Sequence, residues 1–375
     1  MAEKTQAFLR KSKRPEDLTS KYGIKVKRHP DLPLYQFSYS QIDSPKFKAI
    51  VRECRGLVLE DGSWNLVAKP FERFYNFGEY REDCNKFNWD DYDAFTKEDG
   101  SLCILYFYDG EWHVNTRGSF GLGQIHPGTD KTWRDAFWWA SKLTPVDLKG
   151  FEDHTFLFEL CTPYNKVVRR YDKPCVFLLG AFFGPDEVTP DNLKVIGLPT
   201  PIPDTHHFYS RHDLEQYLLR QEENDPTYEG LVLRDARGVR LKFKTKTYTS
   251  MHHLKDNGNI LRAKRLVPLV LSGEAEELAL YLPEVESALY DCQATIRRVT
   301  SEVVELWEKA KDAETQKDFA LMVKDHELSG LLFEMRKLYP EDGEYRIRKL
   351  IREGSDRMVK SVFKDKTWDF DIEEV

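Results

Sequence analysis

The chain has 375 residues, 41% hydrophobic and 13% aromatic, enough apolar material for one large or two ordinary domains. Charged residues make up 32% but are mixed in sign, with a net charge of −7, which disfavours a protein that coats nucleic acid unselectively while leaving room for a local basic groove. The six cysteines show no Cys-x-x-Cys spacing, the N-terminus lacks the apolar stretch of a signal peptide, and no run of 18 apolar residues occurs; these features predict a cytoplasmic protein with reduced thiols and no membrane span.

The first two thirds read as β-rich with inserted helices. RGLVLE and SWNLVAK flank Asp61-Gly62, and LCILYFY and EWHVNTR flank Asp109-Gly110, predicting two hairpins with type I′ turns because both central residues tolerate positive φ. A helix is expected over Lys131–Leu143, where Trp133, Phe137 and Ala140 recur on one side. Strands are expected at Thr155–Cys161 and Cys175–Phe183, and a second helix at Asp213–Glu222. A third hairpin, GLVLR to VRLKFK, turns through Asp235 to Gly238.

After about Tyr248 strand signals give way to helical periodicity. A domain boundary is expected near 250–258, around KDNGN, dividing an α+β domain at 1–250 from a helical domain at 251–375. Val285, Leu289, Cys292, Ile296, Val299, Val303, Leu306 and Ala310 alternate steps of four and three, the seam of a long amphipathic helix between Pro283 and Lys311. Tyr345–Lys366 carries eight basic and three acidic residues, and Arg346, Lys349, Arg352 and Lys360 could track RNA phosphates or simply form a solvated face. The pair Glu276-Glu277 is a candidate for a second cation or a plain exposed acidic pair, and the tail DFDIEEV is expected to fray.

Chemistry centres on Lys97 in TKEDGSL, four residues ahead of a strand-like run. As a nucleophile it must lose a proton from an amine of ordinary pKa about 10.4, which neighbouring cations and partial desolvation would favour. Lys-x-Asp-Gly alone is common in exposed turns, so its ordered companions decide. Arg55-Gly56 opens a strand, where a guanidinium could fork onto a phosphate. Glu159 lies within the apolar run FLFELC, an unusual place for a carboxylate. Glu229-Gly230 opens EGLVLR, and Lys242 and Lys244 share one strand face, where two cations repel unless an anion lies between them. Each has a plainer reading (a buried Arg55–Glu159 ion pair, a turn carboxylate, a solvated strand edge), but five in this order make the plain readings jointly implausible.

The order Lys-x-Asp-Gly, Phe-Glu-Leu, Glu-Gly-Leu-Val and Leu-Lys-x-Lys resembles motifs I, III, IV and V of the covalent nucleotidyltransferases, the ATP-dependent polynucleotide ligases and mRNA capping enzymes. Within them the chain is similar to the bacteriophage RNA ligase 1 family, in FSYS (37–40), ECRG (53–56), FYN within ERFYNFGE (72–79), KEDGSL (97–102), RGS (117–119) and KFKTKTY (242–248). The resemblance spans residues 35–250.

It implies an adenylyltransferase domain of antiparallel sheets with flanking helices, followed by an all-helical domain. It further implies an ATP- and Mg²⁺- (or Mn²⁺-) dependent RNA ligase, monomeric and phage-encoded, acting on single-stranded ends or a broken tRNA anticodon loop in the host cytoplasm. Lys97 would carry AMP. Tyr39 and Arg55 would contact ATP, Glu159 its ribose or a metal, and Glu229 a divalent cation. Lys242 and Lys244 would bind phosphates, and Arg117 and Tyr248 would position nucleotide or RNA. Phe177, Leu179 and Val232 are candidates to pack the adenine, or equally for core duty. Arg73 and Arg117 stand where the family has lysines, which keeps the charge and changes the reach. A DNA ligase or capping enzyme, or a non-catalytic RNA-binding relative, are the alternatives; the first two would place a β-barrel after the Lys-x-Lys strand.

Overall fold

The structure, a computed structural model, describes residues 3–41, 43–249, 260–281, 285–341, 343–364 and 366–369, with the side chains at 3, 260, 261, 277, 281 and 369 left aside. The expected boundary segment 250–258, the side chain of Glu277 and most of the acidic tail therefore lie outside what is described. The chain divides into two compact units, Met1–Tyr248 and Thr249–Val375.

The described residues of the first unit form three sheets. β1 (Ile24–Arg28), β2 (Leu34–Tyr39), β3 (Arg55–Glu60) and β4 (Leu66–Ala68) form an antiparallel sheet in that order. It packs on the helices Glu3–Ser12 and Glu16–Tyr22 through Leu9, Leu18, Ile24, Phe37 and Leu57. β5 (Tyr75–Asn76) and β6 (Tyr92–Thr96) belong to a second sheet. β7 (Ser101–Tyr108), β8 (Glu111–Thr116), β9 (His154–Cys161), β10 (Cys175–Phe183) and β11 (Asp186–Glu187) make the third, in the order β11-β10-β9-β7-β8, all antiparallel. The helix Trp133–Ser141 covers one face of the third sheet, burying Ala136, Phe137 and Ala140 against Phe156 and Phe158. β12 (Thr205–His206), β13 (Gly230–Asp235) and β14 (Arg240–Lys244) complete the second sheet, ordered β12-β6-β13-β14-β5 and flanked by the helix Arg211–Asn224.

The Asp109-Gly110 hairpin forms as expected: φ is +50° and +82° at the two residues, and Tyr108 faces Glu111. At Asp61-Gly62 the expectation fails. Positive φ falls on Gly62 and Trp64 rather than on Asp61, and the Trp64 amide closes onto the Glu60 carbonyl at 3.0 Å. The connection is a longer loop, because Trp64 is drawn into the core of the first sheet, where it is only 4% exposed.

Among its described residues the second unit is helical apart from the short pair β15 (Ile260–Arg262) and β16 (Thr367–Asp369). Its long helix is Glu286–Ala310, and its core gathers Leu266, Leu289, Cys292, Val299, Val303, Trp307, Phe319 and Leu331. The expected seam is corrected at one point. Trp307 is buried and Leu306 only partly so, since a straight helix of 3.6 residues per turn carries the inward position from Val303 to 307. On the basic helix Glu344–Glu353, Arg348 pairs with Glu344 at 2.6 Å and Lys349 with Glu353 at 3.7 Å, while Arg346 lies 3.4 Å over the Tyr339 ring. Among the described residues no helix is long and apolar enough to cross a membrane.

Candidate active site

Strand order brings the motif residues to one end of the second sheet. β13 runs antiparallel to both its neighbours, so its first residue lies beside the last residues of β6 and β14. Lys97 directly follows β6 and continues the ladder, its amide donating to the Gly230 carbonyl at 2.9 Å. Glu229 precedes β13, and Lys244 is the register partner of Gly230. The side chains meet there: Lys97 Nζ lies 2.7 Å from Glu229 Oε2, and Lys244 Nζ lies 3.3 Å from Oε1. Glu229 is 4% exposed and Lys97 21%, so the carboxylate forms the floor and the amine reaches the opening.

Two glycines allow this approach. A Cβ on Gly230, whose φ is +139°, would stand 1.9 Å from the Phe243 carbonyl oxygen. A Cβ on Gly100 would stand 2.4 Å from the Leu160 carbonyl oxygen. The sequence predicted that cations surround Lys97 and that Lys242 and Lys244 need an external anion. Lys97 and Lys244 share the protein's own Glu229, which sets one cation, Lys244, beside Lys97 with a carboxylate between them. A carboxylate between two cations relieves their repulsion where the strand geometry alone could not.

Glu159 comes from the third sheet, in the middle of β9, opposite Leu102 and Phe177. Burial, together with the charges of Glu229 and Asp99, pushes its carboxyl up to about 7 against the pull of Lys97 and Arg55. Among the described residues no ion pair joins Glu159 to Arg55, and the Glu159 carboxyl has no hydrogen-bond partner. The buried-pair reading is therefore set aside.

A second cluster forms around Tyr39, the last residue of β2. Arg73 Nη1 donates to the Tyr39 hydroxyl at 3.1 Å and Nη2 reaches Glu79 Oε1 at 2.9 Å. Arg117 Cζ lies 5.2 Å from the centre of the Tyr39 ring. Burial raises the phenol, and the charges of Arg55, Arg73 and Arg117 more than offset it, bringing it down to about 8. Arg73 is fixed through Arg52: the Arg73 amide donates to the Arg52 carbonyl at 2.9 Å, Arg52 Nε donates to the Arg73 carbonyl at 3.2 Å, and the Arg52 guanidinium forks onto Asp83 with two contacts of 2.9 Å. Phe74 connects this cluster to the second sheet, its ring lying 5.6 Å from Arg55 Cζ and 5.8 Å from Lys242 Nζ. Arg55 Nη1 and Arg73 Nε are buried without a hydrogen-bond partner among the described residues. Buried unpaired donors cost about 1–3 kcal/mol each, and an anionic ligand would relieve them.

Of the remaining expected residues, Tyr248 donates its hydroxyl to Asp99 Oδ1 at 2.7 Å and is 2% exposed. Val232 lies between Phe95 and Lys242 in the register. Phe177 and Leu179 alternate with the buried Val176 and Leu178 and so share a face, but a bulge between Leu178 and Gly180 leaves Leu179 outside the ladder. Leu179 packs on the cluster of Leu34, Val58 and Phe71, which is core duty, whereas Phe177 and Val232 stay half-buried outside the apolar clusters.

The sequence reading missed Asp99, Glu98 and Tyr171. The first was visible as the acid of Lys-x-Asp-Gly. Buried Asp99 accepts the Val168 and Arg169 amides at 2.8 and 2.6 Å, and Tyr171 donates to Glu98 at 2.8 Å. Glu79, the anchor of Arg73, followed the quoted FYN and carried no signal of its own.

Among the described residues no three His, Cys, Asp or Glu side chains converge as a metal cage. Glu159 nevertheless fits a divalent cation: it is half-buried, lacks a hydrogen-bond partner among those residues, and has two further carboxylates raising its proton affinity. A site of one or two carboxylates completed by phosphate oxygens is what Mg²⁺ ordinarily uses.

A family profile described as RNA ligase matches residues 53–249. A putative bifunctional polynucleotide kinase/RNA ligase of Autographa californica nuclear polyhedrosis virus is 25% identical over 368 residues, covering 93% of this chain and 52% of that protein. The chain thus spans about half the length of that viral relative. An RNA ligase of Rhodothermus phage RM378 is also 25% identical, over 417 residues, covering 92% of this chain and 93% of the phage protein. A putative ATP-dependent DNA ligase from Aquifex aeolicus shares the fold at TM-score 0.50 and 14% identity, covering 82% of this chain and 85% of that one. With the matched segment spanning every motif strand from Arg55 to Lys244, the chain belongs to the RNA ligase family, in its phage RNA ligase 1 branch.

Proposed function

We propose that the protein is an ATP-dependent RNA ligase that carries AMP on Lys97 and joins a 5′-phosphate end to a 3′-hydroxyl end. The carrying observation is that Lys97 and Lys244, far apart in sequence, share Glu229 at 2.7 and 3.3 Å at the opening of one sheet. In the first step the Lys97 nitrogen bonds to the α-phosphorus of ATP, the bond to the β-phosphate oxygen breaks, and pyrophosphate leaves. Glu229 holds Lys97 in place and stands within reach of its proton. Lys242 and Lys244 neutralise the α-phosphate and its neighbours, while the unpaired donors of Arg55 and Arg73, with Arg117 and Tyr39, take the outer phosphates. Phe177 and Val232, half-buried, offer the adenine an apolar contact. Glu159 and Glu229 would hold Mg²⁺ or Mn²⁺, which supplies charge neutralisation of the phosphates. AMP then passes from Lys97 to the RNA 5′-phosphate oxygen, breaking the nitrogen–phosphorus bond, and the 3′-hydroxyl finally displaces AMP to form the phosphodiester.

Broken RNA, as single-stranded ends or as a nicked tRNA anticodon loop, is the substrate this reading names, and the host cytoplasm is its setting. Among the described residues, those after β14 are mainly helical rather than strands of a β-barrel, which favours it over a DNA ligase or a capping enzyme. Lys97→Ala tests it. The variant should take up no AMP from labelled ATP yet still seal RNA already carrying a 5′-adenylate. If it joined 5′-phosphorylated RNA from ATP at the parent rate, the assignment of Lys97 would fall.

A further inference from the structure

The turn joining β9 to β10, residues 162–174, has no part in the steps above. Its inner edge is stitched to the residues that follow Lys97. Asn165 Nδ2 donates to Ser101 Oγ at 3.0 Å, and the Val168 and Arg169 amides donate to Asp99 Oδ2 at 2.8 and 2.6 Å. The Tyr171 hydroxyl donates to Glu98 Oε2 at 2.8 Å and accepts from the Asp99 amide at 3.1 Å. Asp99 is 3% exposed, so the anchor lies inside the protein and the turn is held against the loop carrying the nucleophile.

Its outer edge has the opposite character. Lys166, Arg170 and Lys173 are exposed. Asp172 is the acidic residue of the stretch 166–173, and it reaches Arg170 only at 3.7 Å with both side chains largely in water, a pair worth little. Arg169 is turned towards Asp225 at 3.9 Å and lies 5.5 Å from the Tyr171 ring, so its charge is partly engaged.

A short basic stretch is ordinarily just a solvated face. Two features set this one apart. Residues 166–173 hold four basic residues and one acidic one in a chain whose net charge is −7, so the charge of this edge runs against the overall balance. Its backbone is also fixed within a few residues of Lys97 by a buried carboxylate, so its charges are presented with little ordering left to do on binding.

We propose that this turn holds the RNA strand at the reacting end, with Lys166, Arg170 and Lys173 contacting its phosphates. The proposal rests on the RNA ligase reading. A strand approaching Lys97 brings one negative charge per nucleotide, and phosphate contacts supply affinity and register without reading sequence. Tyr171 commits its hydroxyl to Glu98 and its ring to Arg169, so the turn offers charge rather than a stacking face, and the grip is tolerant of sequence.

The test compares the full chain, the set Lys166→Ala, Arg170→Ala, Lys173→Ala, and the charge-keeping set Lys166→Arg, Arg170→Lys, Lys173→Arg. Binding of a 5′-phosphorylated single-stranded RNA is followed by fluorescence anisotropy over a salt series. The alanine set should raise Kd on the order of tenfold at low salt and flatten the slope of log Kd against log salt by about 2, roughly 0.7 for each lost contact. The charge-keeping set should stay near the parent on both counts. Should the triple set fold poorly, Lys166→Ala alone decides the matter, with an expected flattening of the slope by about 0.7. A parent-like Kd and slope in the alanine variants would overturn the proposal, as would equal loss in the charge-keeping set. AMP uptake from labelled ATP, measured without RNA, separates the two readings: a parent chain that takes up no label sinks the ligase assignment, whereas the salt series still decides the role of the turn.

Discussion

Glu159 is a carboxyl in the middle of a strand, held up to about 7 by burial and by two neighbouring carboxylates. An unfolded glutamate titrates near about 4.3. Between those values the folded chain keeps a proton that the unfolded chain has released, so this group's contribution to stability is complete below about pH 4 and is lost as pH rises through about 7. Glu159→Gln removes the titration. In thermal melts without nucleotide or divalent cation, the variant should gain on the parent steadily from about pH 5 to about pH 8; melting curves that stay parallel would contradict the charge environment assigned to Glu159. Lys97 was legible through Lys-x-Asp-Gly and its ordered companions, Glu229 as the residue opening EGLVLR, and Lys244 because the two-residue period sets it on one strand face with Lys242. The partner of Lys97 was not legible. Periodicity fixes which face a side chain takes and leaves open which residue of another strand stands opposite, so the Glu229 carboxylate between Lys97 and the neighbouring cation Lys244 was not foreseen. Tyr171 and Glu79 were invisible for the same reason: a hydrogen bond to Glu98 or Arg73 leaves no local mark in either sequence.

β13 carries the site's geometry through its first residue. Gly230 combines φ of +139° with a Cβ position occupied by the Phe243 carbonyl oxygen. Gly230→Ala must therefore move β14 away from β13 or abandon the backbone conformation, at a cost of about 1–3 kcal/mol from backbone strain alone. Because Lys244 is its register partner, the displacement also pulls Lys244 from Glu229. Chemical denaturation should show the lost stability, and AMP uptake should fall by at least about tenfold, more than a stability change alone produces in a chain still folded. Unchanged uptake in a destabilised variant would show that Gly230 serves packing only. At this scale the sequence reading succeeded where turn chemistry and period agreed, at Asp109-Gly110, β9 and β10. It failed at Asp61-Gly62, where tertiary burial of Trp64 overrode the local preference of the dipeptide. β6, the strand that ends beside Lys97, is short and carries Asp93 and Thr96, so its alternation is too weak to stand out.

At the scale of the whole chain, an acidic protein handles two polyanions, a nucleoside triphosphate and RNA, on the proposed reading. The structure reconciles this by segregating charge. Arg55, Arg73 and Arg117 gather around Tyr39, Lys242 and Lys244 line one strand face, and Lys166, Arg170 and Lys173 stand on the turn beside the nucleophile loop. The division into an α+β unit and a helical unit keeps each core separate, so the motif residues all come from Met1–Tyr248. The most direct measurement is the intact mass of the full chain after ATP and Mg²⁺, followed by peptide mapping. Lys97 as the nucleophile requires one added adenylate per chain, on the peptide containing that residue, and none in Lys97→Ala; an unmodified parent chain, or an adenylate that persists in Lys97→Ala, would contradict it.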